Sequence, residues 1–266
     1  MRFLVFILAL FAFQSCQTDT KKAPDTSTDK PDMPAKMDRK YTLTPFADSY
    51  NYSDANMVDM KYKAGTFNFD VKGENYKLGQ QTPDAPQKMC ANSGKGQHIH
   101  LIVNNEPYIA KYEPTFKQDL PDGDHFILAF LSRSYHESIK TSQAHKAVKA
   151  NVANKTITKT TELDQPMLFY SRPKGTYTGK AETDKVMLDF YLINVDISST
   201  GYTVKAEING EAHTIDKWQP YYVEGLPMGK NAITLTLMDK DGNAVDTPLN
   251  PVTREFTLVG DIPVSE

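Results

Sequence analysis

The segment KYEPTFKQDLPDG, Lys111 to Gly123, returns later in the chain as KWQPYYVEGLPMG, Lys217 to Gly229. The two share five identities in thirteen positions, at an ungapped offset of 106. Both read Lys-aromatic-(Glu/Gln)-Pro, five residues, then Leu-Pro-x-Gly. Upstream, NNEP at Asn104 meets NGEA at Asn209 one residue out of step. Downstream, HFILAFLSR and NAITLTLMDK both alternate apolar with other residues, as strands do. A repeat of this period confines the body of the chain to two copies of one domain, at 56–161 and 162–266.

Each copy reads as short strands separated by turns. In the second, Val186–Ile193 is a strongly apolar strand, Asn209-Gly210 is a hairpin turn, and Asn231–Met238 puts Ile233, Leu235 and Leu237 on one face. About seven strands in about 100 residues predict an antiparallel sandwich. The stretch Leu226-Pro227-x-Gly229, then Ile233-x-Leu235-x-Leu237, then Asp241-Gly242-Asn243 resembles the late strands of bacterial immunoglobulin-like domains. The expected fold is therefore all-β: two tandem immunoglobulin-like antiparallel β-sandwiches after a signal peptide and a disordered tether.

The first residues read as a targeting segment. Arg2 precedes an apolar run of 11 residues, Phe3 to Phe13. That is shorter than the roughly 20 residues a spanning helix needs, and it suits a signal-peptide core. Phe13-Gln14-Ser15-Cys16 resembles the lipobox of bacterial lipoproteins, with Phe13 and Gln14 where Leu and a small residue are commonest. The resemblance implies a lipoprotein signal peptide at 1–15 and a lipidated Cys16. It also implies lipid anchoring in the bacterial cell envelope, at the outer membrane. Lys, Asp, Thr, Pro and Ser dominate after Cys16, so 16–55 reads as the lipidated Cys and a flexible tether. The other cysteine, Cys90, then has no disulfide partner in the chain.

A formal charge of −3 gives no electrostatic case for nucleic acid as a partner. Enzyme motifs are missing as well. His136-Glu137 has Lys140 where a zincin carries its second histidine, and Gly94-Lys95 is followed by Gly96 rather than Ser or Thr. Asp239 to Gly242 starts like a calcium loop but reaches Asn250 at the twelfth position. The expected function is non-catalytic binding.

One constellation points to chemistry. In GKGQHIHLIV, His98 and His100 fall on one face of a strand, about 6.6–7 Å apart along it, while Ile99, Leu101 and Val103 take the other. His125 opens the next long strand, His136 lies just past its end, and Cys90 lies upstream. Two or three imidazoles and a thiolate would make a Cu or Zn set. The second copy has Thr203, Lys205 and Asn231 opposite His98, His100 and His125, and Gly242 near His136, so the histidines are an addition to the repeat. The alternative is a strand whose histidines are only solvated or hydrogen-bonded.

GQHIHLIVNNEPY with LPDGDHFILAFLSRSYHES resembles a group of Bacteroidota lipoproteins, some labelled phosphopeptide-binding. It is also distantly similar to an uncharacterised family of exported bacterial domains with a Gly-x-His-x-His strand and a Gly-x-His turn. The first resemblance implies a protein or peptide ligand. Arg133, Tyr135 and Lys140, close to Ser132 and Ser134, are the residues that could hold a phosphate.

Overall fold

In the computed structural model, which describes residues 39–261, the chain forms seventeen strands in four sheets. The expected signal peptide (1–15) and Cys16 lie outside the described residues. The chain begins with β1 (Thr42–Pro45) and then builds the first sandwich. Its smaller sheet has the order β2 (Asn56–Lys63), β3 (Thr66–Lys72), β6 (Thr115–Lys117). Its larger sheet runs β5 (Ile109–Lys111), β4 (His98–Val103), β7 (Gly123–Ser132), β8 (His145–Ala153), β9 (Thr156–Glu162).

The second sandwich contains β10 (Met167–Arg172), β11 (Gly175–Thr178), the single turn α1 (Lys180–Thr183), β12 (Val186–Ile193), β13 (Thr203–Ile208), β14 (Glu211–Ile215), β15 (Tyr221–Glu224), β16 (Gly229–Met238) and β17 (Val252–Val259). Its sheets are β1-β15-β12-β10 and β11-β17-β16-β13-β14. The all-β tandem-sandwich expectation is met.

The repeat carries through to the pairing register. In the first sandwich His98 lies opposite Ser132 and Gly123 opposite Val152; in the second Thr203 lies opposite Met238 and Gly229 opposite Leu258. The two repeated segments supply β6 and β15, each pairing with the strand that continues the smaller sheet. Leu120 is buried and its counterpart Leu226 is half-buried against the core. The copies diverge at one edge. β9 closes the first by an antiparallel hairpin with β8, whereas β11 closes the second by pairing parallel with β17.

Four apolar clusters hold the layers together, the smallest being Ala85, Tyr135 and Met187. The first core gathers Met57, Phe67, Phe69, Ile99, Leu101, Ile127 and Leu131; the second gathers Leu188, Phe190, Val204, Ile233, Leu235 and Phe256. The third joins the sandwiches: Ile102, Tyr108, Leu128 and Phe130 of the first meet Met167, Phe169, Tyr191 and Ile193 of the second. The two sandwiches are thus stacked face to face, and residues from Arg39 onward form one compact unit. This is why Val186–Ile193 is apolar at almost every position. Both of its faces are buried, so alternation with polar residues is not needed. Its one charge, Asp189, is fully buried. It accepts from Lys140 Nζ (2.5 Å) and the Ser138 backbone N–H (3.0 Å) of the first sandwich. These contacts pin the loop after β7 onto β12.

Of the tether expected over 16–55, residues 39–55 belong to the folded body, and 16–38 lie outside the described residues. Thr42 to Pro45 form β1, with Thr42 opposite Glu224 and Pro45 opposite Tyr221, and Leu43 packs on the second core. Tyr52 and Ala55 are buried in the first core. A few large side chains scattered among polar residues were enough to order this stretch, because neighbouring sheets supplied the rest of the burial. The second sandwich therefore includes a strand that precedes the first in sequence.

Candidate metal centre

β4 turns His98 and His100 toward the second sandwich, on the face it shares with Ile102 and, across the ladder, with Phe130. Both imidazoles are fully buried. The third member of the group comes from the turn after β7. Arg133 to His136 close a tight loop in which the His136 N–H donates to the Arg133 carbonyl (2.9 Å), and Ser132 bridges Ser138. His136 sits at φ = 71°. The second sandwich makes the same loop between Asp239 and Gly242, with an equivalent bridge from Met238 to Ala244, but places glycine at the left-handed position (φ = 80°). An L-residue there costs about 1–2 kcal/mol that glycine does not incur. The first sandwich accepts that cost to hold a histidine.

The three rings converge. His98 Nε2 lies 2.9 Å from His100 Nε2 and 3.0 Å from His136 Nδ1, and one nitrogen from each ring falls within 4.8 Å of the others. Among the described residues no other group of three or more metal-capable side chains is brought together. His98 Nδ1–H donates to the Gly96 carbonyl (2.8 Å), which leaves the Nε2 lone pair directed at the other two rings. Ser171 Oγ, on β10, lies 3.3 Å from His100 Nδ1, and the Tyr108 hydroxyl lies 3.3 Å from His136 Nδ1. The Tyr108 ring stacks on His100 at 3.6 Å between centroids. Gly96 and Ser171 hold His98 and His100 by the ring nitrogen away from the trio, as metal-ligating histidines are held, whereas Tyr108 touches the His136 nitrogen that faces it.

Gly96 is needed where it stands. A Cβ there would come within 2.5 Å of the backbone oxygens of Gly79 and Gln80, and its φ is +82°. The close approach lets Gln97 exchange backbone hydrogen bonds with Gly79 and Gln80 (2.8 and 2.7 Å), which positions the carbonyl that holds His98.

Burial keeps the imidazoles neutral. It pushes His98 down to about 4, and the cations Arg172 and Lys174 add to the effect. His100 and His136 are held well below the usual histidine range, again first by burial. Neutral imidazole is the form that binds a metal. A tetrahedral zinc at about 2.0–2.1 Å from each ligand would space neighbouring nitrogens roughly 3.3 Å apart, so small ring pivots suit the trio to an ion. Without one, His98 Nε2 can only accept, and at least one neighbouring ring must turn an N–H toward it.

Two of the expected ligands lie elsewhere. His125 is on β7 but on the opposite face, with Ile127 and Leu131, because it stands an odd number of residues from Ser132. Its Nε2–H donates to the Pro121 carbonyl (2.8 Å), and its Nδ1 accepts from Asn104 (3.0 Å). Asn231 does the same work in the second sandwich, donating to Pro227 (2.9 Å) and accepting from Asn209 (2.8 Å). His125 is therefore a loop staple, and its place in the metal set is withdrawn. Cys90 packs against Ala85, Tyr135 and Met187, outside the trio, and burial pushes its thiol up to about 12. It is a small apolar side chain here, not a thiolate ligand.

The residues proposed for phosphate are all engaged. Arg133 donates from Nε and Nη2 to the Tyr50 carbonyl (3.1 and 2.7 Å) and pairs with Glu137 (3.4 Å). The fully buried Tyr135 gives its hydroxyl to Asp84. Lys140 is spent on Asp189 and Ser138. They do not form a shared cluster. Sequence reasoning missed Ser171, Tyr108, Arg172 and Lys174. No local pattern marks them, because the stacking of one sandwich on the other is what brings them to the histidines.

No protein-family model matches the chain, and no curated protein matches it. Among solved structures, it is similar to the fibronectin(III)-like modules of Clostridium thermocellum CbhA (14% identity, 36% of this chain, 100% of that one, TM-score 0.29). It is also similar to a 1.5-MDa bacterial ice-binding adhesin (16%, 74% and 58%, TM-score 0.24) and to the FN1-FN3 domains of chicken CNTN1 (12%, 80% and 67%, TM-score 0.24). Nothing about ligand or activity follows from likenesses of this strength.

Proposed function

We propose that the protein is a non-catalytic metal-binding protein that takes one Cu or Zn ion on His98, His100 and His136. One observation carries the reading: a histidine is held in a left-handed turn, where the second sandwich has glycine, with its ring aimed at two neutral, buried imidazoles. The test is metal analysis of the purified protein, followed by reloading with Cu or Zn after chelation. One equivalent per chain is expected in the natural protein and none in His136→Gly, which adopts the turn without strain. Stoichiometric metal in His136→Gly would refute the assignment.

The peptide or phosphopeptide reading finds no support in Arg133, Tyr135 and Lys140, whose polar atoms are already paired. Anchoring remains a proposal based on Ser15-Cys16 after the apolar run: the protein would be lipidated at Cys16 and held at the outer membrane of the envelope. Replacing Cys16 with Ala should release it from membranes, and unchanged fractionation would remove the proposal.

A further inference from the structure

The charged side chains near the trio that have no ion-pair partner are cations. None of the three ligands is anionic, and the carboxylates nearest in sequence and register are committed elsewhere. Glu137, next to His136, accepts from Ser49 (2.5 Å) and pairs with Arg133. Asp189, opposite Arg172 in the β10–β12 ladder, is held by Lys140 and Ser138. Cations approach from the second sandwich. Lys174 Nζ donates to the Tyr108 carbonyl (2.7 Å) and lies 4.0 Å from the centre of the Tyr108 ring, the ring that stacks on His100. Arg172 directly follows Ser171, is 5% exposed, and has Nε and Nη1 with no hydrogen-bond partner.

We infer that the site selects monovalent copper over divalent ions, resting on the metal-binding reading above. The geometry is an all-imidazole trio with two cations beside it, Arg172 next to Ser171 and Lys174 over the ring that stacks on His100, and neither forms a salt bridge among the described residues. Coulomb repulsion from these two cations doubles when the bound ion carries two charges, and burial weakens the screening. Copper(I) is soft and is satisfied by two or three neutral nitrogens. Zinc(II) in an open three-ligand site keeps a water or another fourth ligand. Tyr108 covers His100 and both β4 histidines are fully buried, which restricts the room for such a ligand on that side.

The experiment is a pair of competition titrations on the full chain, anaerobic with reductant for Cu(I) and separately for Zn(II), each against a chromophoric chelator. The expected result is one Cu(I) per chain, held at least about 100-fold more tightly than Zn(II). Lys174→Gln should narrow that gap by strengthening Zn(II) binding. Lys174 is half-buried at the rim, so the variant keeps the packed core intact. Zinc bound as tightly as Cu(I), or a gap that Lys174→Gln leaves unchanged, would overturn the charge selection while the metal site itself stood. Failure of both metals to bind would bring down both readings.

Discussion

Acid should destabilise the metal-free protein in a window where carboxylates are still ionised, and His98 sets the scale. Its value falls from 6.5 in the unfolded chain to about 4 in the folded one. A base depressed in this way contributes stability that is complete above about pH 6.5. That contribution is lost as pH falls toward 4, because the unfolded chain takes up a proton that the native state refuses. At pH 5 the penalty from His98 alone is about 2 kcal/mol, and between pH 6 and 4.5 it grows by roughly 1.1 kcal/mol per pH unit. His100, His136, His145 and His213 are lowered too, each mainly by burial, and act in the same direction. The His98 penalty alone is an appreciable part of the 5–15 kcal/mol typical of a folded domain. The assay is urea unfolding of chelator-treated protein at pH 7.5, 6.0, 5.5 and 5.0, for the natural chain and for His98→Gln. The variant should show a slope smaller by about one proton. If the two slopes agree within about 0.3 kcal/mol per pH unit, His98 is not held neutral by burial, and the argument for a ready-made ligand set is wrong.

Exchanging His125 for the residue its counterpart uses, His125→Asn, should change stability by less than about 1 kcal/mol and leave metal stoichiometry unchanged; a lost metal would return His125 to the site. Gly96→Ala should cost at least about 2 kcal/mol in urea unfolding, since a Cβ meets two backbone oxygens at 2.5 Å and the φ is left-handed. Asp189→Ala should cost about 3–5 kcal/mol by leaving Lys140 and the Ser138 N–H without their partner between the sandwiches. A loss under 1 kcal/mol would mean that water replaces the carboxylate there.

The repeat makes the double sandwich legible in the amino-acid sequence, because a thirteen-residue match at constant offset constrains register as well as fold. The i, i+2 spacing places His98 and His100 together on the face away from Ile99 and Leu101, where the structure has them. The same parity rule, applied across the β4–β7 ladder, excludes His125, but it needs the pairing of His98 with Ser132, which no local pattern specifies. His136 is recognisable in the sequence only as a histidine past a strand end. Its value comes from a turn geometry visible once Gly242 is laid over it. The stacking of the sandwiches is written in Val186–Ile193, where seven apolar residues of eight, broken only by Asp189, signal a strand buried on both faces. Its partner surface is not written there, since burial on two sides does not say against what.

β1 gives the chain an unusual covalent path. It visits the second sandwich at Thr42–Pro45, builds the whole of the first, and only then returns to finish the second. Severing the chain between Glu162 and Met167 would therefore not yield two self-contained halves. The leading fragment would carry a strand that belongs to the trailing one, and the trailing fragment would show a bare β15 edge ready to receive it, as in donor-strand complementation. Anything attached to residues before Arg39 reaches the histidine-bearing sandwich through this splice, so a load on that end of the chain is felt by the second sandwich first.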